Sequence, residues 1–214
     1  MNIQKLKEEQ ERLAHKVLIQ DSFDSLTTIG GCDQSYAGKK IISSVVVVNA
    51  KTLEVIEKTS AILDCDFPYI PGYLSYREAP VIIEAFNKLK NKPDILLVDG
   101  NGILHPRRIG LASHVGIALD VPTIGVAKNL TFGQNSEGKI IIDKEVCAVE
   151  FVSRKYARPV YVSPGHKVSL STALEVIKNS IKPPHKLPEP LHIAHRLATK
   201  LKDEMEIEIK VVSS

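Results

Sequence analysis

The chain has 214 residues and a formal net charge of +3, with 43% apolar and 25% charged residues, an ordinary globular composition long enough to bury a core. Trp is absent and other aromatic residues are few, which excludes a binding surface built from many stacked rings. The mild basic balance permits a nucleic-acid partner without demanding one, so local clusters matter more: Lys39-Lys40, Arg107-Arg108, and Lys88, Lys90 and Lys92.

Ile3, Leu6, Leu13, Val17 and Leu18 recur at helical spacing among Lys and Glu, which predicts an amphipathic helix over 3–19. Segments 27–36, 40–49 and 52–63 read as strands. The β-branched run at 45–48 suits a buried central strand, and Ala50-Lys51 is short enough for a hairpin, so this opening sheet is expected to be antiparallel. Residues 68–72, PYIPG, form a stiff connector in which two prolines fix φ and Gly72 releases the chain into a helix over 73–90. A strand at 94–98, a helix at 107–119 and a strand at 123–127 follow, the order of parallel strands joined by helical crossovers. Segment 139–152 reads as a hairpin entered at Glu137-Gly138, and 159–162 as a short strand. Ser163 or Ser169 caps a helix over 170–180. Prolines at 183, 184, 188 and 190 punctuate a loop before a last helix, 190–204. The whole of 1–214 reads as a single α/β domain, a ribonuclease H-like mixed sheet flanked by helices, although element order alone fits other α/β folds too.

Cys32, Cys65 and Cys147 are odd in number and lack metal-ligand spacing, which fits reduced thiols. No apolar run approaches the ~20 residues that span a bilayer, and no apolar signal core opens the chain. The expectation is a soluble cytoplasmic protein, monomeric and without a membrane partner.

Three acids stand out. Asp33 lies inside the strand-like run 29–36, Asp99 ends the apolar run 95–98, and Glu78 lies in the helical pattern after PYIPG. Each has an ordinary reading by itself: a solvent-facing edge residue, a turn-forming Asp, a helix-surface Glu. Together, on separate elements converging at one sheet edge, they suggest a site for Mg²⁺ or Mn²⁺, which prefer carboxylate oxygens. Two such ions activate water and stabilise the leaving oxygen of a phosphodiester. His166, in a turn before a helix, is either a surface or capping residue or a second-metal ligand or acid/base. Lys128, at a strand end, either solubilises the protein or contacts a phosphate. The 68–71 tip is either a loop packed on the domain or a wedge that fills the gap left by a nucleotide taken out of the stack.

At these motifs the chain resembles the endonuclease V family of deoxyinosine-directed repair nucleases. The resemblance is carried by GCDQSY at 31–36, PYIPGYLSYREAP at 68–80, DGNGILHPR at 99–107, IGVAK at 124–128 and SPGHK at 163–167, and it resumes over 187–197. Some members have Val where this chain has Cys32 or Gln34, and Gln at Asn101, changes that flank the acids. The resemblance implies a Mg²⁺-dependent endonuclease, Mn²⁺ substituting, that recognises hypoxanthine in DNA and removes no base. It implies a nick at the second phosphodiester 3′ to the lesion, leaving 3′-hydroxyl and 5′-phosphate ends. Asp33, Glu78 and Asp99 are implied to hold metal, His166 to assist a second ion, and Lys128 to contact the reacting phosphate. Tyr69, flanked by Pro68 and Ile70, is implied to be the wedge. Backbone around Gly72, Gly100, Gly102 and Gly110 is implied to line the base pocket, with His105 as a further substrate contact. Arg107, Arg108 and Lys39 are expected on phosphates, where they position but do not read sequence. Inosine-containing RNA as substrate, or another ribonuclease H-like DNA nuclease, is the alternative.

Overall fold

The computed structural model of the protein describes residues 2–212. Helix α1 (Ile3–Ala14) is capped by Asn2, whose side chain accepts from the Lys5 amide. It stops short of the expected residue 19: Val17 and Leu18 leave the helix, and the Leu18 amide bonds to His166 instead. Strands β1 (Thr28–Ala37), β2 (Lys40–Asn49) and β3 (Val55–Asp64) form the antiparallel opening sheet. Val45 to Val48 are completely buried, which is why a β-branched run occupies the middle strand.

Helix α2 (Leu74–Asn87), strand β4 (Ile95–Asp99), helix α3 (Leu111–Leu119) and strand β5 (Thr123–Ala127) follow. β4 runs parallel to both β1 and β5. The expected helix over 107–119 begins only at Leu111. Arg108 takes a positive φ of 57°, which breaks helical continuity. Strands β6 (Gln134–Ser136), β7 (Lys139–Ile142), β8 (Glu145–Phe151) and β9 (Val160–His166) complete a nine-stranded sheet in the order β3-β2-β1-β4-β5-β9-β8-β7-β6. Helix α4 (Leu170–Asn179) is capped by Ser169, not Ser163, and α5 (Glu189–Val212) closes the described chain. The result is the mixed, helix-flanked sheet read from the sequence.

Alternation along the central strands splits the core into two faces. Cys32, Val45, Val47, Leu96 and Val98 pack against α2 and α3. Ile29, Val46, Val48, Ile95 and Leu97 pack against α4 and the start of α5. The first turn of α5 lies directly on β1. A Cβ at Gly31 would meet the Pro190 carbonyl carbon at 2.5 Å, so only glycine lets the helix approach this closely. That approach places the face of α5 carrying His195 over the strand that carries Asp33.

Candidate active site

Asp33 follows Cys32, which pairs with Val98, so Asp33 and Asp99 emerge side by side at the carboxyl edge of the parallel strands. This edge is where open α/β sheets place reactive groups. Glu78 reaches the same edge from the second turn of α2. Asp33 and Glu78 are both buried. Burial, and after it the negative charge of Asp33, raises the Asp99 carboxyl to about 6. Burial raises Glu78 to about 7, against a lowering hydrogen bond from Tyr36, with Asp99 and Asp33 adding to the rise. The Asp33 charge thus acts on both Glu78 and Asp99, as happens where carboxylates share a site.

Each acid has a partner. The Tyr36 hydroxyl donates to Glu78 Oε1 at 2.6 Å. Arg77 stacks on the Tyr36 ring and donates from Nε to its hydroxyl. Lys128 Nζ pairs with Asp99 Oδ2, and its own proton affinity rises despite burial because Asp99 and Asp33 lie beside it. His195 Nδ1 donates to Asp33 Oδ2 at 2.5 Å, while the Gln34 amide donates to Oδ1.

Among the described residues no group of three or more His, Cys, Asp or Glu side chains is already set as a metal cage. Lys128 and His195 occupy the acids that would turn inward. The donor set nonetheless fits a hard cation. Buried carboxylates with raised proton affinity gain when positive charge enters, and oxygen donors suit Mg²⁺ or Mn²⁺.

His166 departs from expectation. It is the last residue of β9, not part of a turn, and it pairs with Thr123, the first residue of β5. Asp99 pairs with Val126 near the other end of that strand. His166 is thus at the opposite sheet edge from the acids. It is buried, accepts from the Leu18 amide at 3.3 Å and approaches Asp120. Its ring is part of the packing there, because antiparallel pairing runs β9 away from the acidic edge.

Beside the acids, toward α2 and α3, opens a cavity of about 330 Å³, within the range of small-ligand sites. Tyr69, Ile70, Pro71 and Gly72 form one wall; Asn101, His105, Arg107 and Gly110 belong to another, and Thr131 and Phe132 complete the rim. Tyr69 is 71% exposed, so it is not a core residue. Pro68, Gly100 and Gly102 do not line the cavity. Gly102 is needed for packing: a Cβ there would lie 1.9 Å from the Pro164 carbonyl oxygen, and its amide donates to Ser163 Oγ.

The tip is braced through one carbonyl. Gly72, at a left-handed φ of 80°, accepts from Gln10 Nε2 at 3.0 Å, His105 Nε2 at 3.1 Å and Arg107 Nη2 at 2.8 Å. His105 Nδ1 accepts from the Arg107 amide, so the ring is neutral with its proton on Nε2. Burial, helped by the Arg107 charge, lowers His105 to about 4. Arg107 also donates from Nε to Gln10 and stacks on Tyr73. Two of its three guanidinium nitrogens are thus engaged inside the protein, while the half-buried side chain still lines the cavity. Arg108 is likewise engaged, with the Ile142 carbonyl, the Cys147 thiol and the Glu145 and Asp143 carboxylates. The residues not singled out in the sequence are His195, Tyr36 and Gln10. The first two lie within motif-bearing segments, whereas Gln10 carries no local signal.

The sequence matches the model of the endonuclease V family over residues 11–196. A protein named endonuclease V from Dictyoglomus turgidum is 45% identical over 199 residues, covering 87% of this chain and 85% of its own. The crystal structure of a Bacillus subtilis endonuclease V is similar with a TM-score of 0.90 at 30% identity, over 97% of this chain and 95% of that one. A Ciona intestinalis endonuclease V, solved in complex with a 24mer DNA containing an inosine followed by a ribo-adenosine, matches with a TM-score of 0.87 at 29% identity, over 95% and 99% of the two chains.

Proposed function

The chain belongs to the endonuclease V family and is an endonuclease; from that premise we propose that it recognises hypoxanthine in DNA and nicks the second phosphodiester on the 3′ side, with the whole chain acting as one nuclease domain. The observation that carries this reading is the adjacency of two features: an edge that gathers Asp33, Glu78 and Asp99, with the proton affinity of the last two raised, and a cavity walled by a braced, exposed aromatic tip.

Asp33, Glu78 and Asp99 hold the cation. Mg²⁺, with Mn²⁺ as substitute, supplies activation of a water and offsets charge on the leaving oxygen when bound. His195 orients Asp33 through its Nδ1 proton. Lys128 exchanges Asp99 for the reacting phosphate, where a fixed ammonium stabilises charge that develops in the transition state. The products carry 3′-hydroxyl and 5′-phosphate ends.

The cavity receives the base. Hypoxanthine pairs weakly, so extruding it costs less than extruding a normal base, and Tyr69 fills the space vacated. Backbone at Gly72 and Gly110 and the Asn101 side chain read the polar edge, which discriminates more sharply than apolar contact. The test is nicking of end-labelled duplexes that contain a single inosine or none, with and without Mg²⁺. A Mg²⁺-dependent cut at the second phosphodiester 3′ of the inosine supports the reading. Equal cutting of both duplexes, or cutting in EDTA, overturns it.

A further inference from the structure

Residues 152–159, VSRKYARP, join β8 to β9 and carry three cations and no acid. Register fixes their place. Phe151 pairs with Val160 at the foot of the loop, and Tyr161 pairs with Ala127, the residue before Lys128. The loop therefore stands at the same sheet edge as Asp99 and Lys128. A fourth cation, Lys186, comes from the segment before α5. It loses its proton more readily than an ordinary lysine, through burial first and then through the charges of Arg158 and Lys128. Among the described residues none of Arg154, Lys155, Arg158 and Lys186 forms an ion pair. Cations gathered without counter-charges repel one another, and a polyanion laid across them relieves that cost.

Tyr156 is an independent observation. It is 90% exposed and sits at a φ of 65°, a conformation uncommon for a bulky residue, so the ring projects into solvent from the loop. Lys155 Nζ lies 5.0 Å from its ring centroid. An exposed ring among cations is how proteins grip single strands, by stacking together with backbone charge.

The cavity for the base opens toward α2 and α3. Lys186 adjoins Leu187, which packs into the opposite core face with α4 and α5. The acids lie between the two. A strand whose base enters the cavity and whose phosphate reaches the acids leaves toward Arg158 and Lys186. The geometry points to Arg154, Lys155, Arg158 and Lys186, with Tyr156, as the strip that docks the nucleic-acid strand leaving 3′ of the cut phosphodiester. The inference rests on the proposed function for the direction of that strand.

Binding of the full chain to single-stranded inosine oligonucleotides, measured by fluorescence anisotropy in EDTA, tests it. The 5′ arm is kept constant and the 3′ arm is short or long. Wild type should bind the long 3′ arm about tenfold more tightly, and a variant with Arg154→Gln, Arg158→Gln and Lys186→Gln should bind both at the short-arm level. Its dependence of log affinity on log salt should flatten by about two, at about 0.7 for each single-strand phosphate that the variant leaves without a cation. Tyr156→Ala should lose part of the arm effect and Tyr156→Phe should keep it. If Arg158→Gln lowers the melting temperature, Arg158→Lys keeps the charge and should retain the arm effect. Full 3′-arm dependence in the triple variant, or none in wild type, overturns the inference. Oligonucleotides with adenine in place of hypoxanthine separate the two readings. Equal affinity for both bases removes hypoxanthine recognition while the arm effect still reports on the strip.

Discussion

Asp33 and His195, 162 positions apart in the chain, meet at 2.5 Å through Oδ2 and Nδ1. The contact joins the first strand of the sheet to the last helix, and it fixes the carboxylate whose other oxygen is held by the Gln34 amide. Partners that orient a metal-binding carboxylate are worth about 10- to 100-fold in metal affinity or activity. His195→Ala should therefore slow Mg²⁺-dependent nicking by about that factor, with part of the loss recovered at high Mg²⁺. Asp33→Ala and Asp99→Ala should abolish nicking yet leave lesion binding, since base contacts are made elsewhere. Single-turnover nicking, with circular dichroism to confirm folding, decides; near-normal cleavage by Asp99→Ala would sink the site.

Glu78 at about 7 and Asp99 at about 6 make the metal-free fold pH-sensitive. Both carboxyls hold protons more tightly folded than unfolded, so stability falls as pH rises from about 4 to about 7. In EDTA, Asp99→Asn should melt above wild type at pH near 8, and the gap should close toward pH 4, where both side chains are neutral. Added Mg²⁺ should raise wild-type melting at the alkaline end only. A gap independent of pH would mean that burial and the neighbouring charge do not raise the Asp99 carboxyl in the folded protein.

His105 is shifted the other way, to about 4. A lowered His contributes stability that is present above about 6.5 and is lost as pH falls through about 4. Its imidazole NMR signals should show the neutral ring with Nε2 protonated at pH about 5, where ordinary surface histidines are charged. A charged ring at that pH contradicts the brace on Gly72.

Tyr69 is 71% exposed, so Tyr69→Ala should leave the melting temperature unchanged. Stacking on a base is worth roughly 1–3 kcal/mol, so the same change should weaken binding to inosine duplex by about one to two powers of ten. Tyr69→Phe should keep most of it, because the ring does the stacking. An equal loss on inosine and normal duplexes would falsify the wedge.

His166 should behave in the opposite sense. Removing its ring leaves the Leu18 amide without its acceptor, a loss of about 1–3 kcal/mol. His166→Ala should melt lower than wild type but, once folded, nick at the wild-type rate. A selective fall in the rate would return His166 to the chemistry.

Local patterning alone was enough to find most elements and to single out the three acids, though not for β6 or for the ends of α1, α3 and β9. Periodicity marked β2 and α2, the end of an apolar run marked Asp99, and two prolines marked the 68–72 tip, because each depends on neighbours a few residues away. What lay between distant segments had to come from the folded chain. Asp33 meets His195 because Gly31 lets α5 lie on β1. His166, close in sequence to the motif-bearing strands, lies at the far edge because β9 runs antiparallel to β5. Arg107 and Arg108 look like phosphate contacts in the sequence, and only the fold shows that each is also tied into the protein, Arg107 to Gln10 and Gly72 and Arg108 to Ile142. Arg154, Lys155 and Arg158, none of them ion-paired among the described residues, are instead carried to the acidic edge by strand register, and Lys186 joins them from the segment before α5. Spacing along the chain determines which face of a helix or strand a residue occupies; which faces meet is decided by the order and direction of the strands, and that is a property of the packed sheet.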